Sequence, residues 1–238
     1  MNNNIFTLKY KKDGTFMREI HSFASRNNRL TISQINAIQK YWTHIGIDFQ
    51  MNLLNLESIF NSQDPLVLEI GFGSGENIIH NAINYPKKNF LGIEVYKSGI
   101  GSCLNLAYLY KIKNLKIIYY DAIEVIKYMI PNHILSVVQI FFPDPWDKKR
   151  HHKRRLLKKK FLKIVATKLI INGILQIATD SESYAFDILN EIKNIHQYCN
   201  LSKNNDFTVR STFRIMTKFE NKARLKGNHV FDLMFQTI

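Results

Sequence analysis

Leu66-Val67-Leu68-Glu69-Ile70-Gly71-Phe72-Gly73-Ser74-Gly75-Glu76 joins a short apolar run to a turn of three alternating glycines. The run has the length and composition of a strand buried on both faces. Glycines lack a Cβ, so the backbone after the strand can turn tightly and approach a ligand closely. A dinucleotide site has the spacing G-x-G-x-x-G, which would place glycine at position 76, where Glu76 stands instead. The spacing therefore argues against a dinucleotide.

Working outward from this turn, short apolar runs recur at 90–95, 115–120, 137–142 and 174–178. Between them apolar residues return at helical spacing, as in Ile78, Ile79, Ala82 and Ile83, or Tyr184, Ala185, Ile188, Leu189 and Ile192. This alternation predicts an α/β fold: a doubly wound, mostly parallel, seven-stranded sheet covered by helices on both faces. The segments 207–217 and 230–235 look extended and predict a C-terminal antiparallel strand pair. Ligands of such a sheet bind beyond the carboxyl ends of its strands. Residues 1–60 read as an N-terminal extension, partly flexible, with helical periodicity over 33–42, and 61–238 as the main domain.

A chain of 238 residues with 45% hydrophobic content can bury one ordinary core, which excludes global disorder. The net charge of +14 points to a polyanionic partner, because a basic surface gains from phosphate neutralisation. An Asn-, Ile- and Lys-rich composition dilutes that argument, whereas the clustering of arginine and histidine at 150–155 restores it. Cys103 and Cys199 have no Cys-x-x-Cys or Cys/His spacing, so no metal site is expected and the thiols read as reduced. With no leader-like start and no apolar run of membrane-spanning length, the expected location is the cytoplasm, away from membranes. No obligate protein partner is evident.

Three acids end three successive runs: Glu69 before the glycine turn, Glu94 nineteen positions after Gly75, and Asp121 after the third run. An acid two residues before Gly71-x-Gly73-x-Gly75 resembles the first motif of the S-adenosylmethionine-dependent methyltransferases. The resemblance implies that Glu94 accepts hydrogen bonds from ribose hydroxyls and that Asp121 reaches the adenine amino group. That cofactor carries an amino group and a sulfonium rather than a pyrophosphate, so carboxylates suit it.

The fourth run stops at Pro143-Asp144-Pro145-Trp146 and opens into Asp147-Lys148-Lys149-Arg150-His151-His152-Lys153-Arg154-Arg155. Asp144 is restricted between two prolines, and Trp146 offers a flat face on which a base can stack. Together with Ser22-Phe23, Arg26, Arg29-Leu30-Thr31, Thr179-Asp180, Glu182 and Thr217-Lys218-Phe219-Glu220, this stretch resembles the bacterial tRNA (guanine-N7-)-methyltransferases over nearly the whole chain. The resemblance implies a methyl transfer from S-adenosylmethionine to N7 of guanosine at position 46, in the variable loop of tRNA. It implies that Glu69, Gly71, Gly73, Gly75, Glu94, Asp121 and Asp144 form the cofactor site, with Asp144 catalytic. Lys148, Asp180, Thr217, Lys218, Phe219 and Glu220 would hold the target nucleotide, and Arg150, His151, His152, Lys153, Arg154 and Arg155 would contact RNA. The family pattern has Trp where Ser181 stands.

Guanine N7 carries a lone pair and no hydrogen, so it can attack a methyl group without prior deprotonation; no His–Ser or Cys nucleophile is required, and none is apparent in the sequence. Two alternatives compete, and the second comes from a different class. An exocyclic-amine methyltransferase has Asn/Asp-Pro-Pro-aromatic after the fourth strand, unlike Asp144-Pro145-Trp146. A catalytically inert RNA-binding module would have lost its glycine turn or strand-tip acids, and both are present.

Overall fold

The computed structural model describes residues 22–23, 29–204, 206–216, 220–221, 225, 227 and 229–238. Its centre is a sheet with the order β1-β4-β3-β2-β5-β6-β8-β7. The strands are β1 (Gly46–Ile47), β2 (Leu66–Ile70), β3 (Asn89–Glu94), β4 (Leu115–Tyr119), β5 (Leu135–Phe141), β6 (Leu169–Thr179), β7 (Tyr198–Asn200) and β8 (Phe231–Thr237). β1 to β6 pair in parallel, whereas β8 runs antiparallel to both β6 and β7. Among the described residues, six of the seven expected strands form, as β2 to β6 and β8, and two unexpected short edge strands, β1 and β7, complete the sheet.

Alternation along β2 assigns the two faces. Leu66, Leu68 and Ile70 enter a core with α5 (Ala122–Tyr128), α6 (Lys159–Lys168) and α7 (Glu182–Lys193). Val67 enters a second core with α1 (Ile32–Ile45), α3 (Glu76–Asn84) and α4 (Lys97–Leu109). α2 (Leu56–Phe60) adds Leu56 to the first core. Both cores are continuous because the central strands are apolar on both sides, as parallel sheets require.

Two expectations need correction. Residues 32–60 are not an extension: α1 packs on α4, β1 extends the sheet beside β4, and Ala37, Ile38, Trp42, Leu54 and Leu56 are core residues. A capping box starts α1, with the Gln34 amide donating to Thr31 Oγ1 at 3.2 Å and the Thr31 amide to Gln34 Oε1 at 2.9 Å. The first 21 residues lie outside the described residues. The antiparallel partner of β8 is also not 207–217. Its described residues, 207–216, make one isolated bridge, Thr208 to Asp232, and β7 takes the edge position instead. Its backbone is drawn away from the sheet by side chains of α3. Among the described residues, no helix is long and apolar enough to cross a membrane.

Candidate active site

β2 has β3 and β5 as its two neighbours, so the chain winds away in opposite directions on either side of it. This switch point opens a crevice at the carboxyl ends of the strands, and a cavity of about 450 Å³ occupies it. The lining includes Glu69 to Ser74, Glu94, Gly99, Ser102, Phe141 to Asp144 and Arg214, with Ser22 and Phe23 at the rim.

The glycine turn forms as its spacing predicts. Gly71, Gly73 and Gly75 all have positive φ, and Gly75 at 87° caps α3. A Cβ on Gly75 would stand 2.7 Å from the Cys103 side chain, so the close approach of the turn to α4 excludes any other residue. Gly99 works from the opposite side: a Cβ there would meet the Gly73 carbonyl oxygen at 2.3 Å.

Two acids of the site are deeply buried. Glu69 accepts from Asn77 Nδ2 at 2.9 Å. Burial, with a smaller contribution from the charge of Glu94, pushes its carboxyl up to about 7. Glu94 Oε1 accepts from the Val95 and Tyr96 amides at 2.7 and 2.9 Å, and Oε2 accepts from the Gly73 amide at 2.7 Å. Burial raises its pKa, these three N–H groups oppose the rise, and Asp144 adds to it. Asp144 is half-buried at the rim and faces the same cavity. A buried carboxylate set beside a backbone turn suits a ligand with a cationic group and hydroxyls, so the acceptors present fit S-adenosylmethionine. Asp121 behaves otherwise: its Oδ1 accepts from the Ile123 amide at 2.8 Å and caps α5, and Ala122 rather than Asp121 lines the cavity.

On the acceptor side, Phe142 and Trp146 flank the two prolines with φ of 51° and 50°, a region bulky side chains rarely enter. The Phe142 amide donates to the Ala178 carbonyl at 2.7 Å, and Trp146 Nε1 donates to the Ser22 carbonyl at 3.0 Å. The expected free stacking face of Trp146 is covered: the Arg154 guanidinium lies 4.8 Å from its ring centroid, and His151 meets it edge-on.

The basic run forms a 3-10 turn over Lys149–Arg154. Lys148, Lys149, Arg150 and Lys153 are exposed. Partial burial of His151, followed by the charges of Arg150, Arg154, Lys148 and Lys153, holds its imidazole below the ordinary range. His152 reaches the Asp147 carbonyl and stands 4.0 Å from Asp187. Arg155 departs from the expectation of RNA contact: its side chain is 0% exposed and every guanidinium nitrogen has a protein acceptor. Glu220 departs likewise from nucleotide binding. It is fully buried and bound to Arg214 and Arg210. Thr217, Lys218, Phe219 and Arg26 lie outside the described residues. Lys148 and Asp180 are not among the lining residues; Asp180 is half-buried beyond the tip of β6, and Ser181 starts α7. Among the described residues, no group of His, Cys, Asp and Glu is arranged to hold a metal ion.

Sequence reasoning missed Asn77, Asn81 and Arg214. Asn77 Oδ1 accepts from the Ile215 amide at 3.1 Å, and Asn81 Nδ2 donates to the Phe213 carbonyl at 3.0 Å. The two asparagines stand four residues apart on the buried face of α3, a polar pair on an apolar stripe that marks a buried polar job.

A cavity at the switch point, rimmed by a glycine turn and buried carboxylates, is the arrangement expected of class I S-adenosylmethionine-dependent methyltransferases. Solved structures agree on the fold: the aminoglycoside resistance methyltransferase NpmB1 superposes with a TM-score of 0.54 at 13% identity, covering 80% of this chain and 95% of that one. The 16S rRNA methyltransferase KamB gives 0.55 at 13% identity, covering 78% and 94%. A family model described as "Putative methyltransferase" matches residues 63–233. A tRNA (guanine-N(7)-)-methyltransferase of Buchnera aphidicola subsp. Acyrthosiphon pisum (strain 5A) is 64% identical over 99% of both chains. The protein of that name from Pectobacterium atrosepticum is 42% identical over 100% of both. The chain belongs to the tRNA (guanine-N7-)-methyltransferase family.

Proposed function

We propose that this protein transfers the methyl group of S-adenosylmethionine to N7 of guanosine in tRNA, at position 46 of the variable loop, in the cytoplasm. One observation carries the reading: Glu69, Glu94 and Asp144 face one cavity beside the glycine turn, and the exposed basic turn begins just beyond Asp144. Full-length identity to relatives of that name supports the tRNA substrate.

Bound S-adenosylmethionine supplies an electrophilic methyl on a sulfonium. The buried Glu69 and Glu94 carboxylates bind its cationic and hydroxyl groups, while the backbone of the glycine turn fits closely around it. The N7 lone pair of guanine would take that methyl without prior deprotonation, leaving S-adenosylhomocysteine and a positive charge on the purine. Asp144 stabilises that charge and, with Asp180, accepts hydrogen bonds from the guanine N1–H and amino groups, which distinguishes guanine from adenine. Lys148 and the 217–219 stretch hold the nucleotide, and Arg150, Lys153 and Arg154 meet the phosphates.

Labelled S-adenosylmethionine with unmodified tRNA, followed by chemical cleavage at 7-methylguanosine, tests the reading. Cleavage at position 46, abolished in Asp144→Ala, is the expected result. Label incorporated without such cleavage would instead point to an exocyclic amine.

A further inference from the structure

Arg155 ends the basic run in sequence but lies beneath it in the fold. Nε donates to the Pro145 carbonyl at 2.7 Å, NH2 donates to Ser183 Oγ at 2.9 Å, and NH1 is paired with the Asp187 carboxylate. The guanidinium also rests 4.7 Å from the centroid of the Tyr184 ring, whose hydroxyl accepts from the Leu157 amide at 3.0 Å. Its contacts therefore join two places: the residue immediately after Asp144, and the first two turns of α7, which follows Asp180.

The lip that Arg155 touches needs such support. Phe142 and Trp146 both hold positive φ, and the prolines between them leave the 143–146 backbone with few amide donors of its own. Backbone in sparsely populated regions persists only where its surroundings over-determine it. A planar fork with fixed donors on three separate nitrogens meets that need, whereas lysine has all its donors on one atom and cannot span acceptors set this far apart.

We propose that Arg155 is a positioning residue for the acceptor side of the site, pinning the Pro145 carbonyl to α7 and thereby setting Asp144 against Asp180. This rests on the methyl-transfer reading above. It separates Arg155 from its neighbours: Arg150 and Lys153 act on RNA affinity, whereas Arg155 acts on the rate once RNA is bound.

Arg155→Lys, Arg155→Gln and Ser183→Ala test it. Four quantities are measured: the single-turnover rate at saturating tRNA and cofactor, the tRNA Kd over a salt series, S-adenosylhomocysteine affinity, and Trp146 emission in a Trp42→Phe background. For Arg155→Lys we expect a rate reduced at least about 30-fold, with tRNA Kd, its salt slope and S-adenosylhomocysteine affinity within about threefold of wild type. Arg155→Gln should also red-shift Trp146 emission as the lip loosens. Ser183→Ala removes one acceptor from an exposed position and should lower the rate by about three- to tenfold; it carries the kinetic test if the arginine variants do not fold. A salt slope reduced by about one with an unchanged saturated rate would make Arg155 a phosphate contact and overturn the proposal. An undiminished rate in Ser183→Ala, or unshifted Trp146 emission in Arg155→Gln, would also overturn it. No product from the wild type would refute the methyl-transfer reading instead, while the emission arm would still decide whether Arg155 holds the lip.

Discussion

Asn77 Nδ2 donates to Glu69 Oε2 at 2.9 Å while Asn77 Oδ1 accepts from the Ile215 amide at 3.1 Å. One amide thus ties the acid of the glycine turn to the C-terminal segment that leads towards Thr217. The backbone bond fixes which way the amide faces, and so presents its NH2 group to Glu69.

The two bonds can be separated. Asn77→Asp retains an acceptor for Ile215 but sets a second carboxylate against Glu69, so S-adenosylhomocysteine affinity should fall about tenfold, about 1.4 kcal/mol, with tRNA affinity nearly unchanged. Asn77→Ala loses both bonds and should weaken both ligands. Calorimetric titrations of each variant decide this; equal effects from the two substitutions would deny the separation.

Glu69 gives the site a pH dependence with a definite sign. Its carboxyl rises from 4.5 to about 7 through burial, so the fold retains the proton more tightly than the unfolded chain does. Stability contributed by the protonated form is complete below 4.5 and is lost as pH rises through 7. Glu69→Gln cannot ionise, so the cofactor-free variant should be more stable than wild type at pH 8, by up to about 3 kcal/mol. Cofactor binding needs the carboxylate, so wild-type affinity should increase from pH 6 to pH 8 and the variant's should be weak and flat. Thermal unfolding and titration calorimetry at the two pH values measure both effects.

Exposed and buried cations in the basic run should separate in their response to salt. Replacing Arg150 and Lys153 with alanine should lower the slope of log K for tRNA against log salt by up to about two. Cofactor affinity should stay at the wild-type value. An unchanged slope would remove the exposed turn from the RNA interface.

Arg214 is fully buried, donating to both Asp232 oxygens at 3.1 and 2.8 Å and paired with Glu220. Arg214→Met removes the guanidinium set between two buried carboxylates, while Arg210 stays 3.3 Å from Glu220. The expected destabilisation is about 3–5 kcal/mol in denaturant unfolding at pH 8. It should shrink at pH 5, because burial already raises the Asp232 pKa and protonation relieves the unpaired charge. A loss that does not change with pH would mean the network acts through packing alone.

Short-range chemistry was legible from sequence. β2 begins and ends where the apolar run does, the glycine turn has the backbone its spacing demands, and Glu69 and Glu94 stand at strand tips because strand ends are local events. The 207–217 segment was misread because its extended pattern resembles an edge strand. Its position is instead set by Asn77 and Asn81, more than 130 residues earlier in the chain.

By itself, the sequence determined the central parallel strands, the glycine turn and the acids at its mouth, since each follows from periodicity and neighbouring residues. Only the tertiary structure decided what each charge does. Arg150 and Arg155 are alike in a basic run, yet one is exposed to solvent and the other is enclosed by Pro145, Ser183 and Asp187. A charge shows its role through the partners that meet it, and for Arg155 and Arg214 those partners are brought together only by the closed fold.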